Sequence, residues 1–243
     1  MSNGDDKWAL LINQAIEQQA DEPHVATQYD SFINTASKPH KLVCDDGSRY
    51  AVKFINNPHG DGKAIATEQI VALAGALIDA PVPRVDLIQV SDDLVNIIKS
   101  TFFDSPASAG IHHGSKWVDG YSGPLGLTYQ DLNRDKFAAL DVLYTWLLAG
   151  DHQWIYRNTR PNDVLSVDHS AFFPGGPNWQ SYGLLGACTG VTPDPHLAAL
   201  NLTDADRATT LERLLAVTDN DIASLAPRAR KEWVSWSAQV RKR

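Results

Sequence analysis

The run Leu42-Val43-Cys44-Asp45-Asp46-Gly47-Ser48-Arg49-Tyr50-Ala51-Val52-Lys53-Phe54-Ile55 carries the first decision about the fold. Two apolar stretches flank a Gly-containing turn, which predicts a β-hairpin. Alternation along the second stretch puts Ala51, Lys53 and Ile55 on one face and Val52 and Phe54 on the other. A lysine on an otherwise apolar face needs either an anion or a route to water for its ammonium.

Reading outward from the hairpin, residues 64–78 place Ile65, Ile70, Val71, Leu73, Ala74 and Leu77 at helical spacing, and Pro81-Val82-Pro83 stops them. Glu68 lies in this helix with the small residues Ala64 and Ala72 one turn to either side. It reads either as a solvated glutamate or as a carboxylate reaching a partner in the sheet. Residues 85–90 and 94–103 read as strands around the turn Ser91-Asp92-Asp93. Residues from about 30 to 103 therefore predict an antiparallel sheet with one helix on it. Before the hairpin, residues 8–19 show one helical face, and the polar stretch 18–28 ends it.

Beyond residue 104 the composition shifts. Residues 105–129 are rich in Gly, Ser, Pro and aromatics and predict an ordered, irregular connection. Helices are expected over 131–149, 204–217 and 229–240, with a short strand at 164–167. The expected class is α+β, with a β-rich lobe over residues 1–104, a connection over 105–130 and a helical lobe over 131–243.

With 243 residues, 43% of them apolar, the chain can bury a substantial core. Its 29 acidic and 21 basic residues give a net charge of −8. That balance, without a Lys/Arg block, argues against nucleic acid as the main ligand, because neutralising phosphates needs clustered positive charge. The basic tail from 228 to 243 is interleaved with Trp233, Val234, Trp236 and Val240, the pattern of a docked amphipathic helix. The N-terminus is acidic with no apolar segment after it, and the longest apolar stretch, 137–150, is too short to span a bilayer and is interrupted by Asp141. A cytoplasmic protein with no membrane partner is expected. Cys44 and Cys188 have no metal-ligand spacing and read as two reduced thiols, a single disulfide being the other option.

Two further acids stand at the ends of buried elements. Asp151 follows the apolar helix in Gly150-Asp151-His152-Gln153-Trp154, and Asp168 follows the short strand in Val167-Asp168-His169-Ser170. Carboxylates in such places either cap a neighbouring element or hold a metal and a reacting hydroxyl. With Lys53 and Glu68 upstream, the order is that of a kinase-type phosphotransferase, in which lysine and magnesium neutralise phosphate charge and a carboxylate receives the acceptor's proton.

The run Tyr50-Ala-Val-Lys-Phe54, the Glu of Ala66-Thr-Glu-Gln-Ile-Val-Ala-Leu-Ala74 and Ala80-Pro-Val-Pro83 resemble the small-lobe signature of HipA-like kinases. Phe137 to Trp146, running into Leu-Leu-Ala-Gly-Asp151-His152, resembles their catalytic segment, and Val167-Asp168-His169-Ser-Ala-Phe-Phe173 their metal-binding segment. Gly114-Ser-Lys-Trp117 is similar to a Gly-Ser segment these proteins carry between lobes. The matches run from about residue 30 to 175. The resemblance implies a two-lobed protein-kinase-like fold and an ATP- and Mg-dependent Ser/Thr kinase. In it Lys53 binds phosphates, Glu68 pairs with Lys53, Asp151 is the catalytic base, and Asp168 and Asn158 hold magnesium. Some members are toxins restrained by a small antitoxin, so an antitoxin-like partner is among the implied ones.

The chain departs from that pattern in three places, the first being His152 after Asp151 where the family commonly has Arg. The family's metal-binding Asn stands five residues after the catalytic Asp, where this chain has Tyr156, and the nearest asparagine is Asn158. The segment 34–41, which should cover the phosphates, has no glycine. These departures leave open an interaction module without turnover, beside a small-molecule phosphotransferase. A metal-dependent hydrolase using His112, His113, His152, His169, Asp151 and Asp168 is a further reading, though it leaves Lys53 and Glu68 idle.

Overall fold

The computed structural model describes residues 3–18, 22–35, 37–56, 62–122, 131–179, 195–230 and 233. The hairpin is present as β2 (His40–Cys44) and β3 (Arg49–Lys53), paired antiparallel with His40 opposite Val52. Its turn is set locally. Asp46 accepts the Ser48 backbone N–H at 2.9 Å, and Gly47 takes a left-handed φ of 73°.

The hairpin does not sit in an open sheet. Five strands close into a barrel in the order β1-β2-β3-β5-β4, with β1 (His24–Phe32), β4 (Val85–Val90) and β5 (Gly110–Lys116). Closure comes from a parallel pairing of β1 with β4, His24 opposite Ile88, while every other pairing is antiparallel. Two register shifts in β1, between Ala26 and Gln28 and between Tyr29 and Ser31, bend that strand around. The expected two-lobed kinase-like fold with an open antiparallel sheet is therefore corrected: the chain is α+β, and its first half is a closed barrel.

Three local errors account for the difference. Residues 94–103 are not a strand but most of α3 (Asp92–Thr101). Ser91 is its N-cap, accepting the Leu94 N–H at 3.2 Å, and Asp92 and Asp93 favour the positive end of the helix. Leu94, Val95 and Ile98 form its buried face. The strand missing from that place is β5, Gly-Ile-His-His-Gly-Ser-Lys, which lies inside the expected irregular connection. Its composition hides it, yet its glycine is what the packing requires. A Cβ at Gly114 would come within 2.3 Å of Ile88 Cγ1. The third difference is the strand β1, whose sequence His-Val-Ala-Thr-Gln-Tyr-Asp-Ser-Phe is largely polar and buries only Ala26 fully.

Helix α2 (Gly62–Leu77) is buried around most of its girth, because the barrel covers one side and the second half of the chain the other. Small residues permit this. A Cβ at Gly75 would meet Val82 Cγ2 at 3.0 Å and Leu143 Cδ2 at 3.3 Å. Its neighbours in the core include Phe137, Leu140 and Leu143 of α4 (Arg134–Trp146). A small sheet of β6 (Gly120–Tyr121), β7 (Trp154–Arg157) and β8 (Val164–Ser166) follows, tied to the segment after α2 by Ser166 N–H donating to Pro81 O at 2.8 Å. Short α5 (Pro195–Ala199), α6 (Asp204–Ala216) and α7 (Asp219–Leu225) complete the described helices after α1 (Asn3–Gln18). Thr203 and Thr218 start α6 and α7 with capping boxes to Asp206 and Asp221.

Cys44 is buried and reduced, whereas Cys188 and all of the helix expected over 229–240 except residues 229, 230 and 233 lie outside the described residues. No helix among the described residues is long and apolar enough to cross a membrane.

Candidate functional site

Lys53 ends β3, on the strand's half-buried face, and β3 pairs with β5 so that Lys53 stands opposite His113. The Lys53 side chain is 13% exposed, and its ammonium donates to Glu68 Oε1 and, at 2.8 Å, to Asp168 Oδ1. Glu68 arrives from the buried face of α2, and Asp168 from the turn after β8. Three residues separated by up to 115 positions thus meet at one nitrogen. Burial alone would lower the Lys53 pKa, but the two carboxylates more than offset it and hold the group above its ordinary value. The lysine is a fixed cation.

Two histidines flank it. His113 Nδ1 lies 2.6 Å from Gln69 Oε1, an oxygen that can only accept, so Nδ1 carries the proton and Nε2 keeps its lone pair. His169 Nε2 lies 2.9 Å from Ser166 Oγ, which also contacts Tyr144 OH at 2.7 Å. Burial, reinforced by the Lys53 charge, pushes both imidazoles down to about 3. Both rings are neutral at physiological pH, so Lys53 meets no competing cation from them.

These groups form one end of a cavity of about 650 Å³. Ala51, Pro83, Val85, Trp117, Val118 and Ile155 give it apolar walls, while Thr35, Ser37, Ser115 and Lys116 add polar groups. Thr35, Ser37 and Pro39 come from the glycine-free segment, and Ser115 to Trp117 from the stretch that resembles an interlobe segment. Apolar walls suit a ligand with a flat apolar body, and the lysine-carboxylate cluster, with two carboxylates to one ammonium, suits an anionic tail only when a cation accompanies it.

The structure brings Lys53, Glu68 and Asp168 together, and it places Asp151 and Asn158 differently. Asp151 is exposed and does not line the cavity, although its neighbours His152 and Gln153 do. It accepts a hydrogen bond from Gln153 Nε2 at 2.7 Å. Asn158 is exposed at the far end of β7, where its N–H donates to Asp119 O at 3.0 Å, and it lines no part of the cavity. Five residues of extended chain separate it from Gln153, about 16 Å at the usual strand rise.

Sequence reasoning passed over Gln153, His113 and Trp117 as cavity residues. Nothing in the sequence marked the first beyond its place two residues after Asp151. The other two belong to β5 and the segment directly after it, which composition had disguised as loop. Asp168 itself has a left-handed φ of 58°, an uncommon conformation for a non-glycine residue, held where the strand turns out of β8.

The histidines of the hydrolase reading do not gather. His112 Nε2 bonds Ser108 O at 2.8 Å, His113 faces Gln69 and His169 faces Ser166. Among the described residues, only His24, Asp45 and Asp46 bring three metal-ligating groups close together, and that trio lies at the hairpin tip outside the cavity. The loop at 174–179 docks on α2 instead of lining the cavity, with Trp179 Nε1–H donating to Thr67 Oγ1 at 2.9 Å.

Compared with known families and proteins, the chain matches no family model and no curated protein. The functional reading therefore stands on its own residues and their geometry.

Proposed function

We propose that the chain is an ATP- and magnesium-dependent phosphotransferase of the HipA-like kind, moving the γ-phosphoryl group to a hydroxyl acceptor. One observation carries the reading: a buried lysine clasped by Glu68 and Asp168 at the end of an apolar-walled cavity of about 650 Å³. The flat apolar body would be the nucleotide base and the anionic tail its phosphates.

The donor set fits magnesium. Asp168 takes Lys53 and Ser170 on Oδ1 alone, which leaves Oδ2 without a partner among the described residues, a hard oxygen of the type magnesium selects. When bound there, magnesium supplies neutralising charge to the phosphate oxygens. Lys53 binds phosphate oxygens, and Glu68 keeps its ammonium from swinging away. Asp151 Oδ1 has no partner among the described residues and can take the acceptor's proton as its oxygen bonds to phosphorus and the bond to the ADP oxygen breaks. A protein Ser/Thr or a small-molecule alcohol both satisfy this chemistry.

A second reading, a nucleotide-binding interaction module without turnover, is favoured by one fact: Asp151 and Asn158 lie outside the cavity lining. Incubation with labelled ATP and magnesium, followed by mass spectrometry of the protein and of candidate acceptors, separates the two. Phosphoryl transfer lost in Lys53→Met and Asp168→Asn supports the enzyme. Binding of nucleotide without any transfer supports the module, and no binding at all removes both.

A further inference from the structure

The exposed position of Asn158 leaves the site one oxygen ligand short of the pattern the sequence implied, and another side chain stands at the cavity wall. We propose that the side-chain oxygen of Gln153 is the second magnesium ligand and that its nitrogen holds the base, an assignment that rests on the phosphotransferase reading.

The argument begins with the polarity of the amide. Gln153 contacts Asp151 Oδ2 at 2.7 Å, and a carboxylate only accepts, so the contacting atom is Nε2. Oε1 is therefore the free end, with no partner among the described residues. Gln153 lines the cavity, as does Asp168.

The backbone holds Gln153 against the residues that lead into Asp168. Gln153 O accepts the Val167 N–H at 2.9 Å and the Ser166 hydroxyl at 3.3 Å, the two residues that immediately precede Asp168. The same Ser166 contacts His169, the residue after it. Whatever holds Asp168 in its turn holds Gln153 as well. A neutral amide oxygen and a carboxylate oxygen are both ligands of the hard type magnesium accepts. The amide nitrogen then couples the cation site to Asp151.

The test uses the full chain, a non-hydrolysable ATP analogue, and Mn²⁺ as a paramagnetic stand-in for magnesium, with cation affinity read by electron paramagnetic resonance. Gln153→Met keeps the side-chain volume and removes both amide atoms. It should weaken Mn²⁺ binding in the presence of the analogue at least about tenfold, while analogue affinity in EDTA and the melting temperature stay at the wild-type level. Gln153→Asn should recover part of the loss, and Asn158→Ala should bind Mn²⁺ as wild type does. Unchanged Mn²⁺ affinity in Gln153→Met, or a loss in Asn158→Ala, overturns the assignment and leaves the phosphotransferase reading standing. If wild-type protein binds neither analogue nor cation, both fall together.

Discussion

The cavity has two kinds of wall, and they are built by different means. On the barrel side, Ala51, Lys53, Val85, His113 and Ser115 sit on strands whose backbones are paired in a closed ladder, so their positions follow from sheet register. On the other side, His152, Gln153 and Asp168 sit on chain turns before β7 and after β8. They are held by a few specific bonds: Gly150 N–H to Ala171 O, Val167 N–H to Gln153 O, and the Ser166 hydroxyl between Tyr144 and His169. The contrast separates roles. Barrel residues set the shape of the site and bear on stability, whereas turn residues carry the replaceable charges and bear on chemistry.

That contrast has measurable consequences. The largest is expected on the turn side. Asp168→Asn should lower phosphoryl transfer at least about a hundredfold, the scale of removing one aimed charge from such a site, with little change in melting temperature because Glu68 still pairs Lys53. A melting shift as large as that of a barrel variant would erase the distinction.

Acid should strike the barrel side next. His40 and His112 are buried among Phe32, Phe54 and Phe102, and burial pushes both down to about 4. The unfolded chain takes up these protons near pH 6.5 and the folded barrel only near 4. Their contribution is therefore complete above pH 6.5 and shrinks as pH falls through that window, by up to about 3 kcal/mol for each ring. Denaturant titrations at pH 7.5, 5.5 and 4.5 check it, and a flat profile would mean the rings are not buried neutral.

Smaller effects follow from packing. Gly114→Ala drives a methyl into Ile88 of the neighbouring strand β4 and should cost about 1–3 kcal/mol by chemical denaturation. Nucleotide affinity should fall with it if Gly114 fixes the register of its neighbours His113 and Ser115, which line the site. Ser91→Ala removes the cap of α3 and should cost about 1 kcal/mol, without effect on binding at the cavity.

Much of the site was visible in the chain before any coordinates, and specific residues show why the rest was not. Lys53 and Glu68 were candidates because each is a charged residue inside an apolar periodic element, open to water or to a partner when taken alone, and only their order with the two downstream acids favoured a partner. Asp168 was legible because it ends a short apolar strand. Asn158 was chosen by residue type, but β7 carries it away from the mouth of the cavity, a consequence of strand pairing that residue type does not encode. Ser91-Asp92-Asp93 fits both a turn and a helix cap. Leu94 to Ile98 contains enough branched residues to pass for a strand, and only burial of the face at 94, 95 and 98 decided for helix.

By itself the sequence determined the hairpin, the α2 helix, the β4 strand and the buried helix that leads to Asp151. Each is a local matter of periodicity, turn chemistry and charge placed in an apolar run. Tertiary structure alone decided that β1 and β4 close the barrel, that a histidine- and glycine-containing stretch is a central strand, and that Lys53 is clasped by acids from two distant elements. Those outcomes depend on which surfaces meet. Gly114 under Ile88 and Asp168 against Lys53 acquire their meaning only when residues far apart in the chain come within van der Waals or hydrogen-bond reach.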